Sequence, residues 1–296
     1  MDARAEQWLL QEKYAGVESF AFHADLKRLE AGEPLAYVIG HIPFLGCTIY
    51  LDSQPLIPRV ETEFWVEKAI TEIKKITAKT APQITHSTLP EARPREGVSQ
   101  TNFYPARGRA SGRSSIPGVT ILDLCAGSGA IGVAVAKAIP NSHVTFGEID
   151  SAHLPTITHN LSQNDIDCTR YRVYQADLFT PCNPNPTSSS SELELGTYDV
   201  ILCNPPYIDS VLDRTEQSVA AYEPAVALYG GVAGMEVIEK IIADSPAHLH
   251  THGQLWLEHE PEQSALIATL ASTHGFTCVT HTDQYEVERY SCLVLQ

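Results

Sequence analysis

Nowhere in the 296 residues is there a Gly-x-x-x-x-Gly-Lys-Ser/Thr stretch, which removes the loop that P-loop nucleotidases wrap around phosphates. Cys-x-x-Cys spacing is also missing. The seven cysteines, Cys47, Cys125, Cys168, Cys182, Cys203, Cys278 and Cys292, are scattered, several of them inside apolar runs. That distribution argues against a zinc knuckle or a disulfide framework and for reduced, buried thiols in an intracellular protein. No apolar run is long enough to span a bilayer and no charged-then-apolar leader opens the chain. The expectation is a cytoplasmic protein, with an organellar matrix as the alternative. Basic residues are scarce: 20 Lys and Arg face 36 Asp and Glu, for a net charge of -16. Duplex nucleic acid is held largely by cations against phosphate, so direct nucleic-acid binding is disfavoured.

What the chain does have is Asn204-Pro205-Pro206-Tyr207, placed straight after the apolar run Tyr198 to Cys203. An apolar run that stops at a polar side chain and two prolines reads as a buried strand ending in a stiff loop, because proline fixes φ and donates no ladder hydrogen bond. The Asn204 carboxamide offers an acceptor, the proline segment leaves carbonyls free, and Tyr207 supplies a flat ring. Such a loop suits a planar NH2 group: an adenine amine, a cytosine amine or a glutamine side-chain amide.

Upstream, Val119 to Leu124 is a β-branched run that turns through Gly127-Ser128-Gly129 into a small-residue stretch of helical spacing ending near Lys137. The pattern is strand, glycine loop, helix, and the glycines let a ligand approach the backbone. A second strand, Val144 to Asp150, carries Glu148 where a doubly wound α/β sheet bonds ribose hydroxyls. Asp177, followed by Leu178, comes after the Tyr171 to Tyr174 strand and could hold an adenine edge or simply cap a turn. Gly127-Ser128-Gly129 is shorter than the dinucleotide fingerprint. A nucleoside without a pyrophosphate therefore fits, and S-adenosylmethionine is the donor that pairs with an NH2 clamp. In a doubly wound sheet the first and fourth strands are neighbours, so Gly127 and Asn204 should face one crevice.

These segments resemble the PrmC/HemK class of protein-glutamine N5-methyltransferases, which modify the Gly-Gly-Gln motif of peptide chain release factors. The resemblance rests on Asp123 to Gly129, Glu148, Asn204 to Tyr207 and Glu223 to Gly231, and extends through Gly32 to Gly40, Pro43 to Gly46 and Leu56 to Glu63. It leaves out residues 77–118 and 183–196. Val60 stands where the class has proline, Glu148 where it has Asp, and Cys125-Ala126 where it has Gly-Thr. The resemblance implies a seven-stranded, Rossmann-like methyltransferase sheet. It implies donor contacts at Asp123, Cys125, Ala126, Gly127, Ser128, Gly129, Glu148, Asp177, Leu178 and Asn204. Chemistry would lie at Asn204, Pro205, Pro206 and Tyr207, with Arg59 and Glu61 joining these four on the substrate and no metal. The partner it implies is a release factor, met by a monomer. Alternatives are a nucleic-acid amine methyltransferase, a ribosomal-protein glutamine methyltransferase and a noncatalytic donor-binding protein.

The expected organisation is a short helical recognition segment over 1–46, a hairpin and linking helix over 47–76, a low-complexity insert over 77–118 and the methyltransferase domain over 119–296. Trp8, Leu9, Phe20, Phe22, Leu26 and Leu29 are candidates for a small helical core. Cys47 to Pro58 reads as the hairpin, with Leu51 to Pro55 as its turn. Arg93 to Arg113 carries five arginines among Pro, Gly and Ser and reads as a disordered surface loop. His248, His250 and His252 alternate like metal ligands but lack a completing acid or cysteine, and read as a solvated loop. Arg59 and Glu61 either line a substrate channel or form an ion pair, and Glu223-Pro224 either positions a closing loop or makes a plain turn.

Overall fold

The computed structural model describes residues 3–80, 118–182, 196–212 and 215–296. The arginine-rich stretch and most of the two inserts lie outside the described residues.

Three helices open the chain: α1 (Ala3–Tyr14), α2 (Phe20–Glu30) and α3 (Leu35–Ile39). They close around Leu9, Phe22 and Val38, with Leu26 and Leu29 partly buried against them. Trp8 and Phe20, expected in this core, are instead exposed, Phe20 by 93%. The cap explains Phe20: Ser19 Oγ accepts from Phe22 N–H, so α2 begins at Phe20 and turns that ring outward. Lys13, Tyr14 and Arg28 all donate to the Asp25 carboxylate, which ties α1 to α2.

A hairpin follows, but earlier than expected. β1 (His41–Phe44) pairs antiparallel with β2 (Cys47–Tyr50) through Leu45 and Gly46, both at positive φ, as a tight two-residue turn requires. Leu51 to Pro55, expected as the turn, is the strap that leaves the hairpin. Its Ser53 Oγ meets His153 Nδ1 at 2.8 Å and Thr156 Oγ1 at 2.8 Å. The long α4 (Val60–Thr80) comes next, with Trp65, Val66, Ala69 and Ile73 fully buried on one face.

The rest alternates strand and helix: β3 (Thr120–Leu124), α5 (Ala130–Ala138), β4 (His143–Glu148), α6 (Leu154–Gln163), β5 (Tyr171–Asp177), the two-residue β6 (Thr180–Pro181) and β7 (Tyr198–Cys203). After it come α7 (Gln217–Tyr222), α8 (Ala225–Leu228), α9 (Glu236–Asp244), β8 (Leu249–Glu258), α10 (Ser264–Thr273), β9 (Phe276–Thr282) and β10 (Glu288–Leu295). The sheet order is β6-β5-β4-β3-β7-β8-β10-β9. With β6 set aside as an edge appendage, this is the expected seven-stranded, doubly wound sheet. Strands β5, β4, β3, β7 and β8 run parallel, and β10 returns antiparallel between β8 and β9.

Period-two alternation divides the core. Ile121, Val144, Phe146, Val200 and Leu202 face α4, α5 and α6, while Leu122, Leu124, Ile201 and Cys203 face α9 and α10. His250 and His252 belong to β8 rather than to a loop: the strand begins at Leu249 and takes up its extra residues as a bulge opposite Tyr198 to Val200. His248 stacks on Phe179 with centroids 4.5 Å apart.

Candidate active site

Strands β3 and β7 are neighbours with Leu124 level with Cys203, so the glycine loop and Asn204 leave the sheet side by side. That is the switch point of the fold, where a crevice opens beyond the strand ends.

The loop after β3 is held from behind. Ala126 N–H donates to Gly147 O at 3.1 Å, and Gly127 N–H donates to Glu148 Oε2 at 2.7 Å. Glu148 Oε1 accepts from Asp150 N–H at 2.9 Å, so the longer acidic arm is folded back and fixed. Asp123 is fully buried and takes Gly132 N–H at 2.8 Å through Oδ2, leaving Oδ1 without a partner among the described residues. Burial, and after it the nearby Glu148 charge, push the Asp123 pKa well up against the Gly132 bond. Gly132 must be glycine: a Cβ there would stand 2.7 Å from Phe146 Cζ and 2.9 Å from Asp123 Oδ2. Cys125 has φ 58, the left-handed region where a side chain is strained, which accounts for glycine at this position in the class the chain resembles.

A cavity of about 960 Å³ lies against this loop. Cys125, Gly127, Glu148, Asp177, Leu178, Asn204 and Pro206 line it, together with Leu56 from the strap and Val226, Ala227 and Tyr229 from the segment around α8. Asp123, Ala126, Ser128 and Gly129 do not line it; they form the loop's inner side, with Ser128 O accepting from Asn160 Nδ2. Asp177 caps nothing: its carboxylate is exposed at the rim with no hydrogen bond among the described residues.

A second cavity, of about 570 Å³, adjoins the first and shares Leu56, Asn204 and Ala227 with it. Arg59, Pro205, Tyr207 and Ile208 complete much of its wall. Asn204 is therefore the polar group at the seam of the two. Its Nδ2 donates to Thr62 Oγ1 at 3.3 Å, while its Oδ1 is buried without a partner among the described residues. A buried acceptor left without a partner is costly, so Oδ1 is the polar atom of this wall that calls for an N–H. Tyr207 donates its hydroxyl to Glu258 Oε1 at 2.9 Å. Burial, then the Glu258 charge, drive the phenol pKa well above its ordinary value.

The loop beyond is clasped. Ile208 N–H donates to Leu228 O at 2.9 Å, Gln263 Nε2 donates to Tyr207 O at 2.8 Å, and a Cβ on Gly230 would stand 2.5 Å from Pro206 O. Arg59 both lines the second cavity and bonds Glu223, Nη2 to Oε1 at 2.6 Å, while Glu223 Oε2 takes Ile57 N–H at 3.1 Å. Glu223 thus pins the strap and α4 to the segment that closes both cavities. Glu61 lines neither cavity and has no hydrogen-bond partner among the described residues; the carboxylate that its segment does use is Glu63, which accepts from Leu45 N–H at 2.7 Å. Sequence reading missed Thr62, Trp65 and Glu258. Only the position of Glu258 at a strand end beyond the crevice could have signalled it.

The sheet order, the cavity at its switch point and the acidic residue ending β4 are those of a methyltransferase of the Rossmann-like class. Residues 114–221 match the family described as methyltransferase small domain. The release factor glutamine methyltransferase of Rhodopirellula baltica is 32% identical over 256 residues, 86% of this chain and 71% of that protein. Its counterpart in Chlamydia trachomatis serovar D is 27% identical, covering 95% of this chain and 79% of that one. Among solved structures, the hMettl16 catalytic domain in complex with MAT2A 3'UTR hairpin 6 overlays 85% of this chain and 76% of its own, with a TM-score of 0.53 at 14% identity, a likeness of fold. The chain belongs to the release factor glutamine methyltransferase family.

Proposed function

We propose that the chain moves a methyl group from S-adenosylmethionine to the side-chain amide nitrogen of a glutamine, that of the Gly-Gly-Gln motif of a peptide chain release factor. The observation that carries this reading is the buried, unpartnered Asn204 Oδ1 at the seam between the two cavities. The names of the relatives support the choice of substrate.

The larger cavity fits the donor. Glu148 spends one lone pair on each backbone donor, and an ionised carboxylate has about four acceptor positions, so two remain for ribose hydroxyls. Bound there, S-adenosylmethionine supplies an electrophilic methyl group. The chain's own part is to present the nucleophile. An amide nitrogen is poor in that role because its lone pair is delocalised, so positioning contributes much of the rate. Asn204 Oδ1 and the Pro205 carbonyl accept the two N–H bonds and fix the plane of the group, and Tyr207 walls its cavity. Glu258 is taken up by three donors and is not free to remove a proton beforehand. The proton leaves after transfer, to solvent. Among the described residues no helix is long and apolar enough to cross a membrane.

The test is incubation of the chain with methyl-labelled donor and a purified release factor, its Gly-Gly-Gln glutamine intact or replaced by alanine. Label confined to the intact factor is expected. Equal label on both, or on neither, rejects the assignment.

A further inference from the structure

Glu258 is almost wholly buried and belongs to neither cavity lining, yet three donors converge on it. Oε2 receives Thr62 Oγ1 at 2.7 Å and Trp65 Nε1 at 2.6 Å, and Oε1 receives Tyr207 Oη at 2.9 Å. A buried carboxylate is tolerated only when so satisfied. Thr62 and Trp65 lie three residues apart on one face of α4, and Glu258 follows Leu257, which is level with Cys203. Asn204 and Glu258 are thus the next residues out on adjacent strands, with the Thr62 hydroxyl bridging them.

Proton counting gives this bridge a direction. Trp65 Nε1 can only donate and Thr62 has one hydroxyl proton. Burial pushes the Glu258 carboxyl pKa up, and the hydrogen bonds from Trp65, Thr62 and Tyr207 oppose it by holding the ionised form. In that ionised form the Thr62 proton goes to Oε2, so the Thr62 oxygen faces Asn204 only as an acceptor. The carboxamide must then turn its NH2 to Thr62 and its oxygen to the cavity seam. Turned the other way, Asn204 Oδ1 would compete for the proton already committed to Glu258, and an NH2 would confront the incoming NH2.

We infer that Glu258, acting through Thr62, sets which face of the Asn204 carboxamide meets the acceptor nitrogen, and holds Tyr207 through its other oxygen. The two are positioning residues, and the inference rests on the functional reading above. One carboxylate thereby couples the acceptor of the clamp to its aromatic wall. The charged and titratable groups that act on Glu258 among the described residues are Tyr207, Cys203 and Arg289, and Arg289 is itself shared with Asp283 and Glu260.

The experiment uses the full chain with S-adenosylmethionine and a release factor, and compares Thr62→Val, Thr62→Ser and Glu258→Gln. Thr62→Val keeps shape and removes the hydroxyl. It should lower kcat by about 10- to 100-fold, the equivalent of one orienting hydrogen bond, while donor Kd stays within about twofold. Thr62→Ser should recover most of the loss. In the donor-bound, substrate-free 15N-labelled protein, the Asn204 side-chain NH2 pair, assigned by its disappearance in Asn204→Ala, should shift and exchange faster in Thr62→Val and Glu258→Gln but not in Thr62→Ser. Unchanged NH2 resonances in Thr62→Val overturn the inference whether or not the release factor is the substrate. A kcat loss matched by an equal loss of donor affinity, or one that serine does not restore, overturns it as well. No turnover by the unsubstituted chain counts against the functional reading instead, and the resonance arm still decides this one.

Discussion

Asn204→Ala removes the one side-chain acceptor at the seam and leaves Glu148 and the glycine loop, which hold the other cavity wall, untouched. The nitrogen that takes the methyl group gains positive charge in the transition state, so an acceptor on its N–H is worth more there than in the ground state. Losing one preorganised group of that kind costs about 2.7–4 kcal/mol, or about 100- to 1,000-fold in kcat at 1.36 kcal/mol per decade. Donor affinity should change by no more than about threefold, since Glu148 and the glycine-loop backbone remain in place. The assay is steady-state methyl transfer to the release factor, with donor Kd by calorimetry and an unfolding midpoint to show that the fold persists. A kcat within threefold of the parent in a folded, donor-competent protein refutes the clamp. Asn204→Asp sharpens the result. It keeps an oxygen at the seam but sets a second buried carboxylate against Thr62, whose single proton cannot serve both Asp and Glu258. A fall comparable to the alanine variant is expected, although an acceptor is still present.

The remaining predictions concern the frame around the clamp. Glu148→Ala should weaken donor binding by about tenfold or more, because it removes the ribose acceptor and frees Gly127 N–H together, and calorimetry that finds unchanged affinity would sink that role. Gly132→Ala drives a methyl group into Phe146 and Asp123 and should cost about 1–3 kcal/mol, seen as a drop in Tm of several degrees. Burial alone would raise the Asp25 pKa, but hydrogen bonds from Lys13, Tyr14 and Arg28 outweigh it and hold it below the ordinary value. A carboxylate depressed in the folded state stabilises fully above its unfolded pKa and loses that contribution as pH falls through the folded one, so hydrogen exchange in α1 and α2 should accelerate below about pH 4 and Asp25→Asn should flatten that limb.

Where a signal was local, the sequence carried it. The run Tyr198 to Cys203 coincides with β7 to the residue, because the apolar stretch Val200 to Cys203 is stopped at once by Asn-Pro-Pro. The hairpin was misplaced because its turn, Leu45-Gly46, is only two residues long and holds a leucine at positive φ, whereas Leu51 to Pro55 has the more turn-like composition. Helical spacing points Trp8 and Phe20 to a core, but three short helices bury only one stripe each. Arg59 forms its ion pair with Glu223, 164 residues away, and not with the nearby Glu61, a partner that spacing along the chain does not reveal.

The harder loss concerns polarity. Asparagine carries an acceptor and a donor that differ by a half-turn of one bond, and the residue name does not say which one a ligand meets. In this fold the answer comes from Thr62, 142 residues before Asn204, and from Glu258, 196 residues after Thr62, which meet only once α4 packs across the ends of β7 and β8. Neither residue looks catalytic in sequence: one is a helical threonine, the other a glutamate at the end of an apolar strand. A directional network of this kind has no periodicity, no spacing and no composition of its own. It is legible only as a set of donors and acceptors that must be counted together, and Asn204 Oδ1 is the oxygen of that set left with no partner among the described residues.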